Sequence, residues 1–285
     1  MHTALRFAFN TATVRIHNIP LDALIERVAV SGYNAIEPWA DEIETYLEAG
    51  GDMNRLVDRI RELGLAVPNL ISLAPWIGDT PNTCLPMQQR RLSRDLDLAR
   101  QLGAPCMSAA PIGEPARGKR IPLSVVAERF GAVCRLGMQA GVTVLAENWA
   151  ASANLQSLAD AVYVATACGY PNAALLLDVY HLHKSNSGFE GLRLLSAEAL
   201  PVFHISDYPS RPVASDLHVH HRLLPGEGAA PLEDIVANLI SIGFTGYLSL
   251  ELFPKTLERT ADSLIVDGMA SLRCMTERVL KNSAI

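Results

Sequence analysis

Eight short apolar runs alternate with longer amphipathic segments along the 285 residues, and this alternation predicts a closed (β/α)8 TIM barrel. Two further observations agree. The apolar runs 142–147, 173–178, 201–204 and 247–251 end in Glu147, Asp178, His204 and Glu251, each able to bind a divalent metal. Six helical segments stop on a glycine just before the next strand: Gly32, Gly64, Gly103, Gly141, Gly169 and Gly243. Glycine suits the left-handed residue that ends a helix. The length fits one barrel. No Pro/Gly/Ser-rich linker divides the chain, so residues 1–285 are read as one domain.

In order, a strand is expected over 5–10, then a helix over 20–32 on the stripe Leu21, Leu24, Ile25 and Val28. A strand over 33–37 precedes a helix over 51–64, striped by Leu56, Ile60 and Leu63. Strands at 66–72 and 105–110 are followed by helices at 85–102 and 121–140. The strand at 142–147 leads to a helix at 154–169, and that at 173–178 to a helix at 190–198. A strand at 201–207 opens the longest irregular stretch, 208–230, before a helix at 231–243. A strand at 246–251 and a helix at 258–281 complete the eighth unit. Short apolar runs bounded by turn signals read as buried parallel strands.

Composition narrows the function. Hydrophobic residues are 49% and charged ones 19%, enough for a large core and unlike a disordered chain. The net charge of -6, with no long Lys/Arg run, argues against a nucleic-acid surface. Five scattered cysteines without a CxxC pair suggest buried thiols in a reducing compartment. No leader-like segment and no run of 18 apolar residues is found, so a cytoplasmic protein that does not enter a membrane is expected. The sequence is compatible with a homo-oligomer and does not specify one.

In a barrel the C-terminal strand ends meet on one face, where active sites sit. Glu147, Asp178, His204 and Glu251 would meet there as one hard ligand set for a single divalent ion, Mn, Co, Mg or Zn. One acidic strand end is usually a cap; four on consecutive strands are not explained by capping. His181, three residues after Asp178, can turn back into the same pocket and contact substrate. Arg222 precedes the turn Pro225-Gly226-Glu227-Gly228, which can aim a guanidinium at a substrate oxygen. Asp207 suits either a partner to a ligand or a plain cap. His183 and the cluster His218, His220 and His221 read as structural or solvated. Trp39, Trp76 and Trp149 follow strand ends; Trp39 and Trp149 are taken as walls of a small-molecule pocket. Asn10 and Glu37, at strand tops, are candidates to bond substrate hydroxyls.

Phe9-Asn10-Thr11-Ala12-Thr13, Asp178-x-x-His181, His204-Ile205-Ser206-Asp207, Arg222-x-x-Pro225-Gly226-x-Gly228 and Leu250-Glu251-Leu252-Phe253 together resemble the xylose-isomerase-like sugar isomerase/epimerase superfamily. Gly32-Tyr33-Asn34-Ala35-Ile36-Glu37 and Glu44-Thr45-Tyr46-Leu47 look closest to its inosose (2-keto-myo-inositol) isomerase branch. The resemblance spans nearly the whole chain. It implies one metal on the four ligands, with Glu147 and Glu251 as the catalytic acid/base pair. It also implies His181 and Arg222 on the substrate's carbonyl or hydroxyl oxygens. Asn148-Trp149-Ala150-Ala151 departs from that branch, which has a smaller, glycine-containing stretch there. The segment from His218 to Arg222 is also similar to dehydroshikimate dehydratases of the same superfamily.

The chemistry of the residues agrees. A divalent ion at a carbonyl acidifies the neighbouring C–H. Two carboxylates on different sides can remove and return the proton. Isomerisation, epimerisation and dehydration, of dehydroshikimate or an inosose, all follow from this set. No phosphate cradle follows strands seven or eight, so an unphosphorylated polyol, inosose or keto-sugar is the expected substrate. A DNA-repair endonuclease of the related barrel type would need a basic face. A non-catalytic sugar-binding protein would not need the complete ligand set.

Overall fold

The computed structural model describes residues 5–78, 86–114 and 120–282. Eight strands form one parallel sheet: β1 (Arg6–Asn10), β2 (Ala35–Glu37), β3 (Asn69–Leu70), β4 (Cys106–Ala109), β5 (Thr143–Glu147), β6 (Ala173–Asp178), β7 (Val202–Ile205) and β8 (Tyr247–Leu250). Their order is β2-β1-β8-β7-β6-β5-β4-β3. The ring closes between β2 and β3 through isolated parallel bridges, Ala35 with Ala66 and Trp39 with Ile71. Backbone bonds from Ile36 N to Ala66 O and from Ala40 N to Ile71 O, each 2.9 Å, hold that seam. All eight expected strands are present, and the fold is a (β/α)8 barrel.

The described helices are α1 (Leu21–Val30), α2 (Ala40–Glu48), α3 (Met53–Glu62), α4 (Pro86–Leu102), α5 (Leu123–Ala140), α6 (Leu158–Ala167), α7 (Val179–Lys184), α8 (Leu232–Ser241) and α9 (Ala261–Asn282). Local signals set their ends. Asp52 caps α3 by accepting from Arg55 N at 3.0 Å, and Ser157 with Asp160 forms a capping box on α6. All six expected C-terminal glycines have positive φ. The stripes predicted on α1 and α3 bury Leu24, Ile25, Val28, Leu56 and Ile60. No helix among the described residues is long and apolar enough to cross a membrane.

Several expectations are corrected. Segment 190–198 is two 3-10 turns, Glu190–Leu194 and Ala197–Ala199, rather than an α-helix. Strand 66–72 shrinks to Asn69–Leu70 because Pro68, lacking an N–H, interrupts the ladder. Helices α2 and α7 and the 3-10 turn Thr11–His17 were not anticipated; each is too short to show a repeated apolar face. Cys106, Cys134 and Cys168 are buried free thiols, while Cys274 is exposed and Cys84 lies outside the described residues.

The period-two alternation of each strand divides the core. Most apolar side chains lie between sheet and helices. A smaller cluster of Ala12, Trp39, Ile71, Cys106, Leu145, Ala174, Leu176 and Val202 fills the barrel interior. Glu147, Asp178 and His204 each lie two residues beyond an interior residue of their own strand. The same parity turns them inward, above that apolar floor.

Candidate metal centre

Asp178 ends β6, His204 lies in β7 and Glu251 follows β8. One ligand atom from each lies within 4.8 Å of the other two, and all three residues are buried. Asp178 also caps α7, its Oδ1 accepting from His181 N at 2.9 Å, which leaves Oδ2 for the cluster. His204 Nδ1 lies 3.2 Å from Glu251 Oε2 and 3.7 Å from Asp178 Oδ2. Burial lowers the His204 pKa, but Glu251 and Glu37 carry it well above its ordinary value, so the two carboxylates and the imidazole fit a hard divalent cation once the ring gives up its proton.

Glu37 sets the direction of His204. Its Oε2 meets His204 Nε2 at 2.9 Å and accepts from Ser249 Oγ at 2.7 Å and Asn10 Nδ2 at 3.0 Å. Asn69 Nδ2 donates to Oε1 at 2.8 Å. Burial would raise the Glu37 pKa, but the His204 charge and these bonds hold it below the ordinary carboxylate value. Asn10 Nδ2 also donates to Glu251 Oε1 at 3.1 Å, and its Oδ1 accepts from Trp39 Nε1 at 2.8 Å. Glu37 and Asn10, expected to reach substrate hydroxyls, are fully buried and spend these groups on the site's own side chains. Trp39 packs edge-on to Phe253 at 6.0 Å.

Arg222 joins the cluster from the loop after β7. Its Nη1 donates to Asp178 Oδ2 at 2.6 Å and to Glu251 Oε2 at 2.7 Å. The guanidinium lies 4.7 Å from the Tyr180 ring centre and 5.1 Å from that of Phe253. Asp207 fixes this loop: it accepts from Gly226 N, Gly228 N, Ala230 N and Tyr208 N at 2.8–3.0 Å. A Cβ on Gly228 would collide with Tyr208 O and the Asp207 carboxylate, so the turn needs glycine there. Asp207 is thus neither a direct partner to a ligand nor a plain cap: it anchors the turn that aims Arg222.

His181 Nε2 lies 3.4 Å from Arg222 Nη2, and its Nδ1 lies 3.4 Å from Ala150 N. Burial pushes its pKa down to about 4, Asp178 opposing and Arg222 reinforcing, so the ring is neutral. Glu147, the fourth expected ligand, is outside the three-residue group. Its Oε1 accepts from Trp149 Nε1 at 2.7 Å, while its Oε2 is buried without a partner. Burial raises its pKa to about 8, the His204 charge opposing and Glu251 adding. In Glu251 burial is outweighed by His204 and Arg222, which hold it at about 2.

The remaining residues fall outside the cluster. Trp76 donates to Ala110 O at 2.6 Å and packs on Phe130. His183 stacks on Tyr208 at 3.7 Å, and His218, His220 and His221 pack on one another. Sequence reasoning missed Asn69 and Ser249. Ser249 had a readable signal: a polar residue two before Glu251, inside an otherwise apolar run.

Comparisons with known proteins agree with the barrel fold. The family signature described as xylose isomerase-like TIM barrel matches residues 25–274. The chain belongs to the xylose isomerase-like TIM barrel family. Within that family it is 30% identical to an inosose isomerase of Bacillus velezensis over 122 residues, 42% of this chain and 43% of that one. The aligned part is therefore less than half of that relative. A putative hydroxypyruvate isomerase of Streptomyces coelicolor is 26% identical over 252 residues, 81% of this chain and 86% of that one. A 3-dehydroshikimate dehydratase of Pseudomonas aeruginosa is 27% identical over 265 residues, 89% of this chain and 39% of that one. A crystal structure of IolI protein with a zinc atom superposes with a TM-score of 0.83 at 20% identity, covering 98% of this chain and 99% of that one.

Proposed function

We propose that this xylose isomerase-like barrel is a divalent-metal-dependent isomerase or epimerase of an unphosphorylated keto-sugar or inosose. The observation that carries this reading is the convergence of Asp178, His204 and Glu251 within 4.8 Å at the C-terminal face. Asp178, His204 and Glu251 would hold the ion, with Glu147 completing the set. When bound, such an ion supplies a positive charge that makes a C–H beside a carbonyl easier to deprotonate.

The protein's own groups supply the rest. Glu251 would be one of two carboxylates that remove and return the proton. Glu147 would be the other carboxylate of that pair. The two enter from β5 and β8, so they approach a substrate from different sides. Arg222 and the neutral His181 offer donors to substrate oxygens. Trp39, Trp149 and Phe253 would supply apolar faces that suit a sugar ring or carbocycle and exclude water.

Dehydration is the second reading, favoured by the dehydratase relative that aligns with 89% of this chain. Both readings start with loss of the same proton and differ in whether a β-hydroxyl then leaves. NMR of inososes, ketohexoses, hydroxypyruvate and dehydroshikimate in D2O, with Mn or Co added, separates them. Deuterium wash-in with a rearranged product supports isomerisation; a new alkene signal supports dehydration. Neither, on any compound, would sink the enzymatic reading. Arg222→Ala and His181→Ala should lower turnover with metal content near wild type, and Arg222→Lys should not restore it. Loss of metal from either variant would move that residue to the ligand set.

A further inference from the structure

We propose that Glu114 is a positioning residue that clamps the loop after β5 and thereby places Glu147 and His181 for proton transfer. This rests on the reading of Glu147 as a proton-transfer group. Glu114 lies in the loop after β4 and collects four donors from one short segment. Its Oε1 accepts from Ser152 Oγ at 2.5 Å, Asn154 Nδ2 at 2.8 Å and Asn154 N at 3.2 Å. Its Oε2 accepts from Ala153 N at 2.9 Å. Asn154 is fully buried, and its Oδ1 accepts from Ile121 N at 2.8 Å, so it ties the loop to both described flanks of the β4–α5 connection.

The clamped loop is closed on itself. Ser152 N donates to Trp149 O at 2.9 Å, and Trp149 N donates to Leu155 O at 2.7 Å. Its other side touches the reacting groups. Trp149 Nε1 makes the one hydrogen bond that the Glu147 carboxylate has among the described residues. Ala150 N lies 3.4 Å from His181 Nδ1, and the Trp149 and His181 rings are 6.0 Å apart at 31°. A carboxylate facing inward-pointing N–H groups is a strong acceptor because it is charged. Without it those donors lose their common partner, the loop loosens, and Glu147 loses a fixed pose.

The test uses the full chain labelled with 5-fluorotryptophan, which carries three tryptophans. Trp149→Phe assigns one fluorine signal. In Glu114→Ala the Trp149 signal should shift or broaden, while that of Trp39, bonded to Asn10 across the barrel, stays in place. On whichever compound of the substrate panel the wild type converts, kcat should fall on the order of ten- to a hundredfold, with KM changing less. Glu114→Gln keeps one acceptor oxygen and should fall between the two. An unmoved Trp149 signal in both variants, a Trp39 signal that moves equally, or an unchanged kcat beside a moved Trp149 signal would each overturn the proposal. The fluorine spectrum needs no substrate. A chain that converts nothing in the panel would refute the proposed function while the spectrum still reports on the clamp.

Discussion

Glu37 and Glu147 are both deeply buried carboxylates at barrel strand ends, yet their proton affinities move in opposite directions. Glu37 accepts from Asn10, Asn69 and Ser249 and meets the His204 ring, and it stays ionised. Among the described residues Glu147 accepts from Trp149 alone, and burial pushes it up to about 8. Burial is common to both. The number of donors and the closeness of His204 decide the outcome. A sealed carboxylate becomes scaffolding, and an under-satisfied one keeps a proton to exchange.

The largest break in this contrast should come from Glu37→Leu. It strands four polar groups in the core and should cost about 3–5 kcal/mol of stability by urea titration. Zinc affinity measured by calorimetry should fall about ten- to a hundredfold, since the partner of His204 is gone. A variant as stable as wild type would mean that Glu37 does not organise the site.

Glu147→Gln should act in the other direction in chelator-treated protein. The Glu147 folded pKa of about 8 lies above its unfolded value, so the folded state holds the proton more tightly. Stability contributed by this group is present at low pH and is lost as pH rises through the interval up to about 8. The glutamine should flatten that loss and make the variant more stable than wild type by roughly 1–3 kcal/mol above pH 8. Parallel pH–stability curves for the two proteins would contradict the picture.

Two smaller changes sharpen it. Trp149→Phe removes the bond that lowers Glu147, so a carbon-13 titration of its carboxyl should move further upward, by less than about one pH unit. No shift would mean that the Trp149 bond has no part in setting Glu147. Ser249→Ala takes one of several donors from Glu37 and should cost no more than about 1 kcal/mol, with Glu37 still ionised at neutral pH.

The strands were legible because apolar runs closed by a charged residue leave a period and a stop in the sequence. Asp178, His204 and Glu251 were found that way, and so was the turn that carries Arg222. Glu147 was read by the same rule, but the rule locates a strand end without fixing how far a carboxylate reaches. Glu114 left no signal, because its four donors lie about forty residues away along the chain. Asn10 and Glu37 were read as candidates for substrate hydroxyls; in the structure their polar groups bond the site's own side chains, since exposure at a strand top depends on what covers it. The short helices α2 and α7 were missed because one or two turns carry too few positions for a pattern.

The ring has one weak joint. β1 and β8 match at four register positions, while β2 and β3 meet only through bridges at Ala35–Ala66 and Trp39–Ile71. A hoop fastened unevenly breathes at its clasp, and Trp39 stands on that clasp holding Asn10, which in turn holds Glu251. Glu147 ends β5, as many strands from the seam on its other side, between the laddered neighbours β4 and β6. Amide exchange should therefore be quickest at Ile36, Ala40 and Ile71 and slow along β5, with Glu251 tied through Asn10 and Trp39 to the clasp and Glu147 standing on a fully paired strand.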